Sequence, residues 1–265
     1  MAAEALPAWA QGLRWDWPWM DHLAVFGPAV NAGLGRGQSV AELLNEIAQT
    51  RFLAGGEPPM RFVAQQALPP NCAYESFIFE QRACPSRDNL HDLFNGLTWL
   101  ACPRTKARLN QLQAAQIARD GVAQQRGPLR DALTLFDENG AVLLAPMPLT
   151  EALRQRAWQR LFVELRPLWA QARLLVFGHA LQEKLQQPRK AITAHVYLPP
   201  FDRAEPDLDA ALAASLQAAE LAEKPYWPLP ILGVPGWYLP NQNISFYDDP
   251  HVFRPAAAGR QCGAA

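Results

Sequence analysis

Proline constrains this chain more than any other feature. The 265 residues include 24 prolines, gathered mainly at positions 57–70, 146–148, 188–206 and 225–255. A proline ring removes a backbone donor and pushes the preceding residue out of the helical region, so regular elements stop at such stretches. Regular structure is therefore confined to the intervals between them. Read interval by interval, the pattern predicts an α+β fold: a mainly helical single domain with a small antiparallel sheet.

Ser39 is a favourable N-cap for a helix through AELLNEIAQT, and Arg61 to Gln65 reads as a short strand. A helix is expected to start in Pro85-Ser86-Arg87-Asp88, capped by Ser86 or Asp88, and to run to about Leu100. Cys102-Pro103 ends it, and Pro103 suits the first turn of a second helix reaching Asp120-Gly121. In ALTLF-DENG-AVLLA two apolar runs flank Asn139-Gly140, the dipeptide of a tight hairpin, and both runs are expected as strands. Helical patterning follows from Leu149 to about Leu185 with a break at Pro167. Ala191 to Leu198 reads as a strand and Asp207 to Glu223 as a helix. Residues 1–60 are expected to form an arm and helices packed on a main domain of residues 61–255, with residues 256–265 a flexible tail. Trp15, Trp17 and Trp19 alternate, as they would along one side of an extended segment.

Hydrophobic residues make up 49% and charged residues 18% of the chain, the balance of a folded globule. A formal net charge of -1 argues against a broad nucleic-acid surface, leaving a small molecule or a protein as the expected partner. No run approaches the roughly 20 apolar residues that span a bilayer, and the N-terminus lacks the basic and apolar regions of a signal peptide. The expected location is the cytoplasm, where Cys72, Cys84, Cys102 and Cys262, none in a C-x-x-C pair, should be free thiols.

On a helical wheel, Leu90, Leu93, Phe94, Leu97 and Leu100 occupy one stripe of NLHDLFNGLTWL, and His91, Asp92, Asn95 and Trp99 lie opposite. A solvated tryptophan would leave a large apolar area in water, so the polar side is expected to line a cleft or face another element. Gly96 costs about 1 kcal/mol relative to Ala in a helix, which suggests close packing there. Asp92 in the first turn equally serves the helix dipole. Arg104, Lys106 and Arg108 at the start of the next helix either pair with carboxylates such as Glu75, Glu80 or Asp120 or bind an anion.

A second constellation lies in RLLVFGHALQEKL, where His179 and Glu183 are i, i+4 neighbours, an arrangement that orients an imidazole or shares a divalent metal. His195 follows in AITAHVYL, and Asp248-Asp249-Pro-His251 closes the chain's polar motifs. No H-E-x-x-H, nucleophile elbow, P-loop or dinucleotide fingerprint is present.

The runs YESFIFEQRACPSRDNLHDLFNGLTWLACPRTKARLNQLQ, ALTLFDENGAVLL, VFGHALQEKL and NISFYDDPHVFRP together resemble the bacterial family known as domain of unknown function 3025, over roughly Arg61 to Pro255. The resemblance implies one coherent unit and carries no catalytic residues with it.

Two functions of different classes fit these residues. The first is a hydrolase-type, metal-assisted site, with His91, Asp92, Asn95, His179 and Glu183 as catalytic candidates. In that reading His91, Asp92 and His195 are candidate ligands of a divalent metal, and Arg104, Lys106, Trp99 and Asp249 contact substrate. The second is a non-enzymatic binding or adaptor protein gripping a partner through Tyr226, Trp227, Trp237 and Tyr238.

Overall fold

Prolines act as element boundaries in the computed structural model of the chain, which describes residues 6–53, 60–121 and 127–256. The elements in chain order are α1 (Asp21–Ala24), α2 (Gly27–Leu34), α3 (Val40–Leu53), β1 (Arg61–Ala64), α4 (Tyr74–Gln81), β2 (Ala83–Ser86), α5 (Leu90–Ala101) and α6 (Pro103–Asp120). They continue with α7 (Pro128–Asn139), β3 (Gly140–Leu144), α8 (Met147–Arg154), β4 (Arg173–Val176), α9 (His179–Lys184), β5 (Thr193–Tyr197), α10 (Leu208–Ser215), α11 (Ala218–Ala222) and β6 (Tyr226–Pro230). Helices α2, α6, α7 and α8 each carry a proline in the first two positions, where its missing N–H costs nothing. The fold is α+β, mainly helical with small sheets. No described helix is long and apolar enough to cross a membrane.

The principal sheet has the strand order β4-β3-β5-β6. It is mixed rather than purely antiparallel: β3 pairs antiparallel with β4 but parallel with β5, and β5 pairs antiparallel with β6. Every residue of β3 is buried, and successive side chains feed opposite faces. Ala141 and Leu143 join the larger hydrophobic cluster with the N-terminal helices and α5, while Val142 joins a second one with Phe136, Phe177 and Tyr197. Trp19, Met20 and Leu23 lie inside the larger cluster, so the N-terminal segment contributes to the core itself. Trp17 and Trp19 stack at 4.8 Å around a 3-10 turn, and Trp15 meets Phe94 edge-on, so the three indoles do not line one side of an extended strand.

The Asn-Gly hairpin does not form. Residues 128–139 are helical, with Ala132, Leu133 and Phe136 buried at helical spacing, and the strand starts directly at Gly140. Neither Asn139 nor Gly140 takes a positive φ. Gly140 is needed for another reason: a Cβ there would run into the carbonyl of Phe136, so the helix-to-strand junction is too tight for a side chain. Phe136 decides the outcome by stacking on Phe177 at 4.9 Å and on Tyr226 at 5.6 Å, contacts that no local pattern encodes.

Three further expectations are corrected. The span from Leu149 to Leu185 is not one interrupted helix: α8 gives way to a π turn, a 3-10 turn, strand β4 and only then α9. The Asp207–Glu223 helix breaks at Leu216, where the backbone is extended. Pro85 and Ser86 belong to β2, and the cap of α5 is Asn89, whose side chain accepts the Asp92 N–H at 2.8 Å. Asp88 instead accepts the N–H of Val40 at the start of α3, at 2.7 Å. The Ser39 cap forms, with Ser39 and Glu42 as a reciprocal capping box. Cys262 and the C-terminal tail from 257 lie outside the described residues.

Candidate metal centre

Helices α5 and α9 are locked face to face by buried polar side chains. Gln182, fully buried, donates to the carbonyl of Val176 at the end of β4 and lies 3.2 Å from the hydroxyl of Thr98, which donates to it. Behind α5, the space a Cβ on Gly96 would fill is occupied by Leu44 of α3, the close packing that this glycine predicts. Gly178 has the corresponding task for α9. Its missing Cβ would lie 2.5 Å from the Glu138 carbonyl and the Gly140 nitrogen, so the β4–α9 turn presses directly on the α7–β3 junction. His179 is thereby delivered beside Asp137 and Glu138.

The two histidines meet tip to tip. His91 Nε2 and His179 Nε2 are 3.1 Å apart, with the rings edge-on. Each ring turns its other nitrogen to a carboxylate: His91 Nδ1 lies 3.1 Å from Glu183 Oε2, and His179 Nδ1 lies 3.7 Å from Asp137 Oδ2. Glu183 therefore serves His91 across the helix interface rather than His179 on its own helix. Glu138 Oε2 is 3.8 Å from His179 Nε2, and ligand atoms of His91, His179 and Glu138 all lie within 4.8 Å of one another.

Electrostatics favour neutral imidazole at His179, which is 4% exposed. Burial pushes its pKa down to about 3, against the opposing pull of Asp137. Burial also works against a charged Asp137, but the Lys106 ammonium outweighs it and holds its pKa below the usual carboxylate range. Glu138 is shifted the other way, upward, by burial and by the neighbouring Asp137 despite the pull of His91.

A buried polar chain backs the cluster. Lys106, 4% exposed, donates from Nζ to Asp137 Oδ1 at 2.6 Å and to Asn95 Oδ1 at 2.8 Å. The Asn95 amide then donates to the Tyr74 hydroxyl at 3.1 Å. Trp99 is buried beneath the Lys106 ammonium, 5.4 Å from it, which accounts for a tryptophan on the polar side of α5. These residues line a cleft of about 480 Å³ between α4, α5, α6 and α7.

Several sequence candidates lie elsewhere or do other work. Asp92 lines the cleft, but its carboxylate accepts the N–H of Arg87 at 2.6 Å and pairs with its guanidinium at 2.9 Å, which holds the turn into α5. His195 pairs in register with Gly140 in the sheet and does not join the ligand cluster among the described residues. Arg104 is absent from the cleft wall and pairs with Asp207 of the α10 cap at 2.7 Å, while Asp209 accepts the N–H groups of Arg104 and Thr105 and so caps α6. Asp249 pairs with Lys190 at 3.2 Å, away from the cleft. Asp137 and Glu138 escaped the sequence reading because DENG passed for a turn. Their signal was the i, i+3, i+4 spacing of Leu133, Phe136 and Asp137 on a helix.

Tyr226, Trp227, Trp237 and Tyr238 are half-buried and pack against the two hydrophobic clusters. Exposed large apolar residues of the described chain include Leu53, Met147 and Leu239, the last next to Tyr238.

No curated protein and no solved structure matches the chain. A family model matches residues 60–257, which include His91, Asp137, Glu138, His179 and Glu183. The chain thus belongs to the family described as "Protein of unknown function (DUF3025)".

Proposed function

We propose that His91, His179 and Glu138 bind a divalent metal ion and that the protein is a metal-assisted hydrolase. The observation that carries this reading is the tip-to-tip pair. Glu183, 3.1 Å from His91 Nδ1, favours the proton on that nitrogen, which directs the His91 Nε2 lone pair at His179 Nε2, 3.1 Å away, while His179 Nδ1 is buried without a hydrogen bond. Either one Nε2 donates its proton to the other, or a metal ion takes the place of that proton with both rings as ligands. The 3.1 Å separation of the two nitrogens is short enough for both to bind one ion. The Glu183 carboxylate behind His91 is the outer-shell arrangement that orients a metal-bound histidine.

Two nitrogens and one oxygen suit zinc or a neighbouring first-row ion, and three protein ligands leave a position open for water. A metal held by His91, His179 and Glu138 would supply a water-derived nucleophile near neutral pH. Water then adds to the substrate's acyl or phosphoryl centre, the bond to the leaving group breaks, and one water proton goes to that group. Lys106 spends two of its three N–H bonds on Asp137 and Asn95 and keeps one to donate to the developing oxyanion. Asn95 and Trp99 fix that ammonium, and Asp137 and Glu183 orient the ligands.

The test is elemental analysis and zinc titration of the purified protein. One equivalent of metal is expected, with His91→Ala and His179→Ala each weakening it by tenfold or more and chelation removing hydrolysis of ester or phosphoester substrates. A wild-type protein that takes up no metal at millimolar zinc would overturn the reading and leave a proton shared between the two rings as the explanation of the 3.1 Å contact. The adaptor alternative draws less support, since its aromatic anchors are partly buried against the two hydrophobic clusters.

A further inference from the structure

The cleft extends well beyond the histidine pair. It follows the facing sides of α6 and α7, with Lys106 and Gln113 seven residues apart on one wall and Arg130 and Asp137 seven apart on the other. At 1.5 Å rise per residue, each wall runs about 10 Å from the proposed metal centre to its far end. Two polar groups there lack partners. Arg130 Nε is buried without a hydrogen bond, and the Gln113 side chain, 5% exposed, makes none among the described residues. A buried donor left unpaired is costly, so Arg130 Nε signals a ligand that satisfies it, and Gln113 beside it has an amide free to add to the same ligand. Asp120 attracts Arg130 electrostatically, but its hydrogen bonds go to Arg119 and Gln116.

We propose that Arg130 and Gln113 form a subsite for the carboxylate of a monoanionic substrate whose scissile group lies at the histidine cluster. The inference rests on the metal-centre reading for the position of the reacting end only. A guanidinium matches a carboxylate or a phosphate with two parallel N–H bonds, and the amide of Gln113 adds a third donor. Charge selects between the two anions. The cleft wall carries three cations, Arg87, Lys106 and Arg130, against four acids, Glu75, Asp92, Asp137 and Glu138. A bound divalent ion turns that balance from one negative to one positive charge, which a single carboxylate neutralises and a phosphate dianion overshoots. The N-terminal turn of α7, where Arg130 sits, adds a positive dipole end to the same place. The substrate class is thus an acyl compound with a free carboxylate several bonds from the cleaved bond.

The experiment is calorimetric titration at pH 8, where phosphate is a dianion, of the monoamide of adipate (adipate hereafter), a monocarboxylate long enough to reach from the far end toward the metal, into the full-length protein with its metal content measured. Inorganic phosphate is titrated in parallel. Wild type is expected to bind adipate, with Arg130→Gln weakening it by tenfold or more, Gln113→Leu severalfold, and Arg130→Lys restoring part of the loss while metal content stays unchanged. Equal affinity in wild type and Arg130→Gln overturns the subsite, as does absence of adipate binding in metal-loaded wild type. Tighter binding of phosphate than adipate overturns the choice of carboxylate. Arg130-dependent adipate binding by a protein that takes up no metal would support the subsite and remove the metal reading alone.

Discussion

Replacing Lys106 by Met removes a buried ammonium and leaves the Asp137 carboxylate uncompensated, and the structure sets the size of the effect. The two charges are 2.6 Å apart, and the lysine is 4% and the aspartate 15% exposed. At an effective dielectric of about 20 the pair attracts by about 6 kcal/mol. Desolvation offsets much of this, yet breaking a buried pair from one side costs about 3–5 kcal/mol because the remaining charge keeps its burial penalty. Asn95 loses the donor to its carbonyl at the same time. Urea denaturation at pH 7 should therefore show Lys106→Met less stable than wild type by about 3–5 kcal/mol. The loss has a pH signature. In wild type the folded-state pKa of Asp137 is depressed, so its contribution is present above the unfolded carboxylate value and disappears as pH falls through the lower folded value. Without Lys106, burial raises that pKa instead, and protonation rescues the variant as pH falls toward 5. Lys106→Met/Asp137→Leu should recover part of the stability at pH 7. A destabilisation below about 1 kcal/mol at pH 7, or one that grows between pH 7 and 5, would refute the reasoning.

Gly178→Ala should lower stability by about 1–3 kcal/mol, because the added Cβ meets only backbone atoms of residues 138–140, and zinc affinity should fall with it. Fluorescent zinc competition and urea melts check both. Burial pushes His22 down to about 4, so its neutral form stabilises the fold fully above the unfolded value near 6.5, and the contribution is lost as pH falls from there toward 4. Stability measured between pH 7 and 4 should thus decline by about 2–3 kcal/mol more in wild type than in His22→Gln. Asp209→Ala removes the cap that accepts two N–H groups of α6 and should cost about 1 kcal/mol in thermal melts while leaving metal content unchanged.

Local chemistry made part of this protein legible in its sequence. The wheel of residues 90–101 places His91, Asp92, Asn95 and Trp99 opposite a leucine stripe, and the prolines and the Ser39 capping box mark element starts, because such effects act within one or two turns of the chain. HALQEKL likewise reads as a helix carrying His179 and Glu183. What the sequence could not determine was pairing. Glu183 serves His91 from 92 residues away, and Lys106 answers Asp137 rather than an anion from solvent. Asp137 and Glu138 reach the cleft only because Phe136, stacked on Phe177 and Tyr226, carries the α7 helix up to Gly140 against the turn signal of Asn-Gly. His91 and His179 become neighbours only because Gly96, Gly178 and Gln182 let α5, α9 and the α7–β3 junction approach closely. These are contacts between segments distant in the chain, set by packing volume and by the need to satisfy buried polar atoms, and neither quantity exists until the segments meet.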